Sequence, residues 1–177
     1  MNRKLEKKIV FKGKFQDVLQ EDDQLYLMHK LDKICVLPYT LAEGGLLDRI
    51  GVIKERDIEK EKDQYSLLNG FINADDGTNL VAANRILFEV IGSNVTKADN
   101  WMYLGTLDNI SLGSNIRIYA VNLTDVEINT AEEVEETKKA LKFDMIPSNK
   151  VAGSDDALFL AAYLRLFNYF YVQNLTK

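Results

Sequence analysis

The sequence predicts a single α/β domain, with strands along most of the chain and two helices. Several short runs are rich in apolar and β-branched residues, and residues 33–41 form the most continuous of them. Residues 78–91 and 154–172 carry apolar residues at helical spacing. A chain of 177 residues fits one domain whose folding buries roughly two thirds of the unfolded surface.

Composition narrows the classes of partner. A net charge of -5 argues against a general nucleic-acid surface and against binding to an anionic membrane. No apolar run approaches ~20 residues, so we expect no membrane-spanning helix. The first eight residues are basic, but no apolar signal core follows them, and we therefore expect an intracellular, cytoplasmic protein. The many Asn, Lys and Ile residues suggest an AT-rich genome.

The first third of the chain is predicted to be strands. Residues 7–18 alternate between apolar and polar, which predicts one strand with Gly13 as a bulge. A turn at 21–23 leads to a second strand at 24–29. Residues 33–41 then predict a buried strand.

A partner for the buried strand is predicted immediately after it. Gly44 and Gly45 supply a turn, and residues 46–55 return as the second strand. The dense charges of residues 56–64 predict a solvated loop.

Residues 65–94 predict a strand, an acidic loop and a helix. The sequence Asp75-Asp76-Gly77 is typical of a turn, and Asp76 or Thr78 can cap a helix over 78–91. Gly92 is placed to end it. The helix residues predicted to face the core are Leu80, Ala83, Leu87 and Val90 or Ile91.

The second half predicts two paired strands at 101–107 and 116–123, a last strand at 141–146 and a closing helix at 154–172. Ser154 is the predicted cap of this helix. Its predicted core stripe is Ala157, Leu160, Ala161, Leu164, Phe167 and Tyr171. The remaining aromatic residues, Tyr163, Tyr169 and Phe170, are expected to leave a partly exposed face that suits protein contact.

Several kinds of chemistry are excluded by residue type. His29 is the only histidine, so neither a His-centred metal site nor a Ser-His-Asp triad is available. Cys35 is the only cysteine and lies in a buried-strand pattern, which favours core packing over a nucleophilic role. Gly44-Gly45 lacks the spacing and the lysine of a phosphate loop.

Residues 68–94 resemble the Nudix box, the signature of the Nudix hydrolases. That box is a Gly, five residues, a Glu, seven residues and then Arg-Glu-aliphatic-any-Glu-Glu-any-Gly. Gly70, Arg85 and Gly92 match the two glycines and the arginine, and Asp76 stands for the upstream Glu. The spacer between Asp76 and Arg85 is one residue longer than the pattern. In the family this arginine braces the box by pairing with a loop carboxylate.

The carboxylates of the box helix are mostly replaced. The family presents three of them on one helix face to hold divalent metal against a diphosphate, and such a metal needs several oxygen ligands. Here Glu89 matches one position, whereas Ile86 and Val90 occupy the other two. The resemblance implies Glu89 as the remaining metal ligand, with Asp76 as a second remnant of the site.

The resemblance extends over most of the chain and favours the branch similar to ADP-ribose pyrophosphatases. It implies an α/β/α sandwich with a mixed β-sheet between helices, formed as a single domain over residues 1–177. Residues 33–177 would be its core. Residues 1–32 would be N-terminal strands, which in that branch often help to form a dimer or partner contact.

Two functions of different class follow from the resemblance and its departures. The first is a non-catalytic Nudix-fold protein that binds other protein subunits, including its own copies, as a structural or assembly component. Together with the AT-rich composition, this would suit a virus or phage protein associated with the virion. The second is a divergent hydrolase of a nucleoside diphosphate linked to another group, such as ADP-ribose. It would use magnesium or manganese bound by Asp76, Glu89 and the acidic residues at 132–136.

Overall fold

The computed structural model describes residues 8–13, 16–21, 24–29, 32–57, 62–109, 114–128 and 142–175. Within these residues, ten strands form a three-stranded sheet and a seven-stranded sheet. The strands are β1 Lys8–Lys12, β2 Gln16–Glu21, β3 Gln24–His29, β4 Lys33–Leu41, β5 Leu47–Asp57, β6 Lys62–Ser66, β7 Leu68–Phe71, β8 Trp101–Asn109, β9 Ser114–Asn122 and β10 Lys142–Pro147. The helices are α1 Asn79–Ile91 and α2 Ala157–Leu175, with short 3-10 helices at Ala74–Asp76, Ala98–Asn100 and Ser148–Gly153. None of the described helices is long and apolar enough to cross a membrane.

The N-terminal sheet is an antiparallel meander of β1, β2 and β3. The prediction of one strand over 7–18 was wrong, because Gly13 follows the end of β1 and β2 then returns beside it, with Lys8 opposite Gln20. The ladder is irregular between Ile9 and Phe11, so Gly13 is not the bulge. The alternation of apolar and polar residues continues from β1 into β2. Periodicity alone therefore does not show where the chain reverses direction. The strand predicted at 24–29 is confirmed as β3.

The larger sheet is mixed. Its strand order is β10-β5-β4-β9-β8, with β7 also paired to β4 and β6 also paired to β5. The β4–β9 pair is parallel and the other pairs are antiparallel. The predicted pairing of β8 with β9, and the last strand as β10, are confirmed.

The charged segment at 56–64 is not simply a loop. β5 continues to Asp57, and β6 pairs with it from Lys62 onwards. A salt bridge of 2.8 Å joins Lys54 Nζ and Asp63 Oδ2 across this hairpin. Oppositely charged cross-strand neighbours let a solvated hairpin form from residues that the sequence assigned to a loop.

One hydrophobic core lies on each face of the seven-stranded sheet. On one face, α1 packs against alternate residues of β4 and β9, including Ile34, Val36 and Val121. On the other face, α2 packs against Cys35, Leu37 and the opposite residues of β9. The mixed sheet therefore lies between two helices, as the resemblance implied.

The helix α1 begins and ends where the sequence predicted. Thr78 Oγ1 accepts a hydrogen bond of 3.2 Å from the backbone N–H of Val81, and Gly92 ends the helix with φ of 67°. This left-handed conformation favours glycine. The buried residues of α1 are Ala82, Ala83, Ile86, Leu87 and Ile91, whereas the predicted core residues Leu80 and Val90 are half-buried.

The helix α2 differs from its prediction at its cap. Asp156 caps it, because Asp156 Oδ1 accepts hydrogen bonds from the backbone N–H groups of Leu158 at 2.9 Å and Phe159 at 3.0 Å. Ser154, the predicted cap, accepts a bond of 3.1 Å from the N–H of Asp156 and so supports the capping residue.

The predicted core stripe of α2 was wrong for most of its residues, although Leu160 does pack against the core. The side chains that reach the core are Phe159, Ala162 and Leu166, with Leu158, Leu160, Tyr163 and Phe170 packed around them. Much of the predicted stripe is instead exposed: Ala157, Leu164, Phe167 and Tyr171. Because α2 is apolar on nearly every side, helical spacing did not distinguish its buried face from its exposed face. Tyr169 is the member of the predicted aromatic face that is exposed.

Candidate functional site

The candidate site is the loop between β7 and α1 together with the first three turns of α1. The chain leaves β7 at Phe71 and forms a 3-10 turn at Ala74–Asp76. The backbone N–H of Asn73 donates a 2.7 Å hydrogen bond to Asp76 Oδ2, so this carboxylate closes its own turn. Gly77 then takes φ of 64° and redirects the chain into α1.

Arg85 on α1 holds this loop at three points. Its Nε donates to Asp76 Oδ1 at 2.8 Å, and its Nη2 donates to Asp76 Oδ2 at 2.9 Å. The same Nη2 donates to the carbonyl of Phe71 at 2.8 Å, which ties the end of β7 to the helix. Paired bonds of a guanidinium to a carboxylate fix geometry as well as charge. Arg85 is thus a brace between strand, loop and helix.

The electrostatics of this pair follow from its contacts. The hydrogen bonds from Arg85, with the smaller contribution of the Asn73 N–H, lower the pKa of Asp76 from its ordinary value, although burial opposes this shift. The pKa of Arg85 is raised, chiefly by Asp76. Asp76 is 5% exposed, so its charge is held by its partners more than by water. Both carboxylate oxygens of Asp76 already accept hydrogen bonds from Arg85.

Ile86 packs against Gly70 of β7. It is 3% exposed and belongs to the core on the α1 face of the sheet. A Cβ atom added to Gly70 would lie 2.9 Å from Ile86 Cγ1, so β7 and α1 meet here with no room for another atom. The box position that carries a carboxylate in the Nudix pattern is therefore a packed aliphatic contact in this chain.

Glu89 and Val90 complete the helix face. Glu89 is exposed, and its Oε1 accepts a 3.2 Å hydrogen bond from Arg85 Nη1, an i,i+4 pair. Val90 is half-buried and packs against the same core as Ile86. Asp76, Arg85 and Glu89 consequently form one ion-pair network, in which the arginine is bonded to both carboxylates.

These residues do not fit a divalent metal well. In the described part of the chain, no three His, Cys, Asp or Glu side chains are grouped so that they could hold a metal ion. Asp76 is engaged by Arg85 and Asn73, and Glu89 by Arg85. A magnesium or manganese ion needs several oxygen ligands, which these two carboxylates do not supply alone. The acidic residues at 132–136 lie outside the described residues.

Cys35 takes the place that the sequence assigned to it. It is fully buried in β4, and burial raises the pKa of its thiol to about 12. Such a thiol remains protonated and packs as a small apolar side chain.

A polar and aromatic cluster beside the site was missed. Arg117 on β9 pairs with Asp32, and the rings of Tyr119 and Tyr103 lie 5.2 Å apart. Asn79, at the start of α1, forms a hydrogen bond with Tyr119. Arg117 and Tyr119 are two residues apart on one strand, so the alternation of β9 already indicated that they share a face.

Comparisons with known proteins show the fold. The sequence matches no protein-family profile and no curated protein sequence. Among solved structures, the chain is similar to an ADP compounds hydrolase, with a TM-score of 0.63 and 16% identity over 96% of this chain and 94% of the other. It is also similar to a MutT/nudix family protein from Listeria innocua, with a TM-score of 0.57 and 15% identity over 84% of this chain and 98% of the other. The predicted Nudix-type α/β fold is confirmed.

Proposed function

We propose that this chain is a non-catalytic Nudix-fold protein that works through its surface, as a structural, assembly or protein-interaction component. The observation that carries the proposal is the burial of Ile86 against Gly70, at a box position where the Nudix pattern has a metal-binding carboxylate. The fold and the Arg85 brace are present around that position, whereas Ile86 and Val90 stand at two of the three carboxylate positions of the pattern.

Packing makes this replacement difficult to reverse. A carboxylate placed at position 86 would meet the backbone of β7 and the core rather than water. Burial of an unpaired charge in such a place destabilises a protein strongly. Ile86 instead contributes apolar burial, which stabilises the fold. A chain without metal chemistry gains from this exchange, and a chain that needs the chemistry does not.

The surface offers places for partners. The N-terminal sheet exposes Ile9 by 43%, Phe11 by 58% and Leu25 by 67%. Exposed apolar residues of this size on a small sheet are available for contact with a partner. We propose other protein subunits as the partners of this chain. The AT-rich composition further predicts a virus or phage protein that is associated with the virion.

A second candidate function is supported by a specific likeness. An ADP compounds hydrolase resembles this chain over 96% of its length. Under this alternative the chain is a divergent, metal-dependent hydrolase of a nucleoside diphosphate linked to another group, such as ADP-ribose. Glu89 would be a metal ligand, and further ligands would come from Asp76 and from the acidic residues at 132–136.

Thermal melting with magnesium or manganese, with and without ADP-ribose, separates the two candidates. A ligand that binds the folded state at about 100 times its Kd stabilises that state by about 2.7 kcal/mol. The non-catalytic proposal expects no rise in Tm that depends on both metal and nucleotide. A rise that Glu89→Gln abolishes and Glu127→Gln retains would support the hydrolase instead. Glu127 is the control because its side chain is exposed and it lies outside the box residues 70–92.

A further inference from the structure

The strand β8 forms one edge of the seven-stranded sheet. It pairs with β9 on one side, and no described strand pairs with it on the other. An edge strand directs the backbone N–H and C=O groups of alternate residues away from its neighbour, where they can bond an added strand. The outer edge of β8 is therefore a place where a further chain segment can pair.

A groove of about 540 Å³ lies between β8 and α2, and this volume is within the ~300–1,000 Å³ range of ligand sites. Three consecutive β8 residues, Met102, Tyr103 and Leu104, form one wall. Consecutive side chains of a strand point to opposite faces, so a groove that all three line follows the edge of the strand. The other wall is one face of α2, whose residues in the groove are three or four positions apart: Arg165, Asn168, Tyr169 and Val172.

Much of the groove wall is apolar and accessible. Tyr169 is 41% exposed and Val172 is 50% exposed, and both belong to α2. Met102 and Leu104 are half-buried on the β8 side. A segment laid along β8 would cover these side chains with its own alternate residues, and burial of apolar area favours binding.

Arg165 is the only charged residue among the described residues that line the groove. Its Nη1 donates to the carbonyl of Leu104 at 3.1 Å and to that of Thr106 at 3.4 Å, and its Nη2 also donates to Thr106 at 3.4 Å. These acceptors are neutral. The Nε group and the second N–H of Nη2 form no hydrogen bond with the described residues, so one edge of the guanidinium group remains available.

Arg85 shows what this edge of a guanidinium group binds. Its Nε and Nη2 donate to the two oxygens of Asp76 at 2.8 Å and 2.9 Å. Arg165 is half-buried and offers the same pair of donors, but no carboxylate of the described residues bonds to it. A charge that is partly removed from water is stabilised by an opposite charge with good geometry. The groove is therefore complementary to a ligand that carries a carboxylate.

The edge available for pairing ends beside Arg165. The β8–β9 ladder shifts register between Tyr103 and Gly105, and Gly105 takes φ of 103°. Arg165 then covers the carbonyls of Leu104 and Thr106. A bulge and covered carbonyls both end regular pairing along an edge. An added strand is consequently limited to the first residues of β8, and it reaches Arg165 where the pairing stops.

We propose that the groove between β8 and α2 binds an extended segment of a partner protein, which pairs with the outer edge of β8 and places an Asp or Glu side chain on Arg165. Apolar residues of the segment pack against Tyr169 and Val172. Addition of a strand to an exposed sheet edge, with pockets for alternate side chains, is a recurring mode of peptide recognition. This names the kind of partner for the protein-interaction role proposed above and rests on it.

A fatty acid fits the groove less well, although it also combines a carboxylate with an apolar chain. Its chain has no groups that can bond the backbone N–H and C=O groups on the outer edge of β8. It would shield those groups from water without replacing their hydrogen bonds, which is costly. A peptide backbone replaces them.

The first test is selection of peptides from a random heptapeptide phage library on the full-length chain, with titration calorimetry of the enriched peptides. Enriched peptides are expected to carry Asp or Glu beside alternating apolar residues. Replacement of that acid by Asn or Gln should raise the Kd by about 10-fold or more, because the charged bonds to Arg165 are lost. A selection without binders, or binders whose Kd does not change on that replacement, would overturn the proposal.

A matched pair of variants tests the location. Val172→Glu is expected to raise the Kd of a selected peptide by about 10-fold or more, because the new carboxylate repels the acid of the peptide and competes for Arg165. Leu164→Glu is the control, since Leu164 lies on the same helix, is 61% exposed and does not line the groove. Equal affinities for the parent and Val172→Glu, or a loss with Leu164→Glu of the same size, would place the peptide elsewhere.

Methylation of the peptide backbone tests the strand pairing. Only alternate residues of a paired strand bond the neighbouring edge. N-methylation of one residue next to the acid is therefore expected to abolish binding, and N-methylation of the adjacent residue to have little effect. Equal effects at both positions would contradict the added strand. This comparison leaves the protein unchanged, so it does not depend on how a variant folds.

Decanoate, used below its micellar concentration, is the probe for a fatty acid. It is expected not to displace a selected peptide, and displacement with a Kd below that of the peptide would overturn the proposal. These measurements are independent of the metal and nucleotide assays. An empty groove would leave the non-catalytic proposal with its other surfaces, and hydrolysis of ADP-ribose would contradict that proposal without changing the Kd of the peptide.

Discussion

Arg85 and Asp76, nine residues apart, are joined by two parallel hydrogen bonds of 2.8 Å and 2.9 Å across the loop that enters α1. The third bond of the guanidinium group, to the carbonyl of Phe71, extends the connection to β7. The pair therefore ties the loop and the end of β7 to α1, whose buried apolar face packs on the sheet.

Removal of the arginine should therefore destabilise the fold. We expect Arg85→Ala to lower the free energy of unfolding by about 2–3 kcal/mol. The Asp76 carboxylate would stay nearly buried, lose both bonds from Arg85 and keep the bond from the Asn73 N–H. Chemical denaturation measures the change. Asp75→Asn is the control, since Asp75 is exposed and adjacent, and it should alter the free energy by less than about 0.5 kcal/mol. An Arg85→Ala variant as stable as the parent would show that Arg85 does not brace the fold.

The same pair predicts a dependence on pH. The bonds from Arg85 lower the pKa of Asp76 in the folded chain below its ordinary 3.8, so the unfolded chain takes up this proton first as the pH falls. The stabilisation is complete well above pH 3.8 and is lost as the pH falls below 3.8 towards the folded pKa. Unfolding measured between pH 6 and pH 3 should show a smaller loss of stability for Arg85→Ala than for the parent. Equal losses in both proteins would contradict the pairing.

The contact between Gly70 and Ile86 predicts a compensating pair of substitutions. Gly70→Ala should destabilise the chain by about 1–3 kcal/mol, because the new methyl group would lie 2.9 Å from Ile86 Cγ1. In an Ile86→Ala background the same change should cost much less, since the cavity accepts the methyl group. A double-mutant cycle by thermal or chemical unfolding gives the coupling energy, and strict additivity would exclude close packing at this point.

The burial of Cys35 predicts slow thiol chemistry. With its pKa raised to about 12 and its side chain fully buried, the thiol should react with a maleimide or disulfide reagent only when the protein opens. The labelling rate should rise in parallel with the unfolded fraction in denaturant. Rapid labelling of the native chain near neutral pH would show that β4 is not in the core.

Local signals in the sequence were sufficient for α1 and its surroundings. Thr78, the apolar spacing of the helix and Gly92 agree with one another, and the structure confirms both ends of the helix and the burial of Ala83 and Leu87. Agreement between capping, periodicity and a stop residue leaves little freedom for an alternative.

Elsewhere the sequence did not contain the deciding information. Because α2 is apolar on nearly all sides, the choice between Leu166 and Leu164 as the buried leucine depends on how the helix meets the sheet. The β5–β6 hairpin depends on cross-strand pairs such as Lys54 with Asp63, which the dense run of charges did not single out. The pairing of Arg117 with Asp32 likewise requires β9 to lie beside the start of β4. Such contacts follow from topology rather than from local propensity.

At the site, the resemblance identified the residues, and the structure supplied their contacts. The box pattern pointed to Asp76, Arg85 and Glu89, but only the coordinates show the arginine lying between the two carboxylates. Whether Ile86 faced solvent or core was open from the sequence, since either is consistent with its position on α1. The close approach of Gly70 decides for the core.

The most direct test of the non-catalytic proposal is an assay for hydrolysis of ADP-ribose. Purified full-length chain is incubated with ADP-ribose and either magnesium or manganese, and the formation of AMP is measured over time against a sample without protein. The account predicts that AMP forms no faster than in that blank. Metal-dependent formation of AMP that Glu89→Gln abolishes and Glu127→Gln preserves would contradict it, and would establish the chain as a divergent hydrolase.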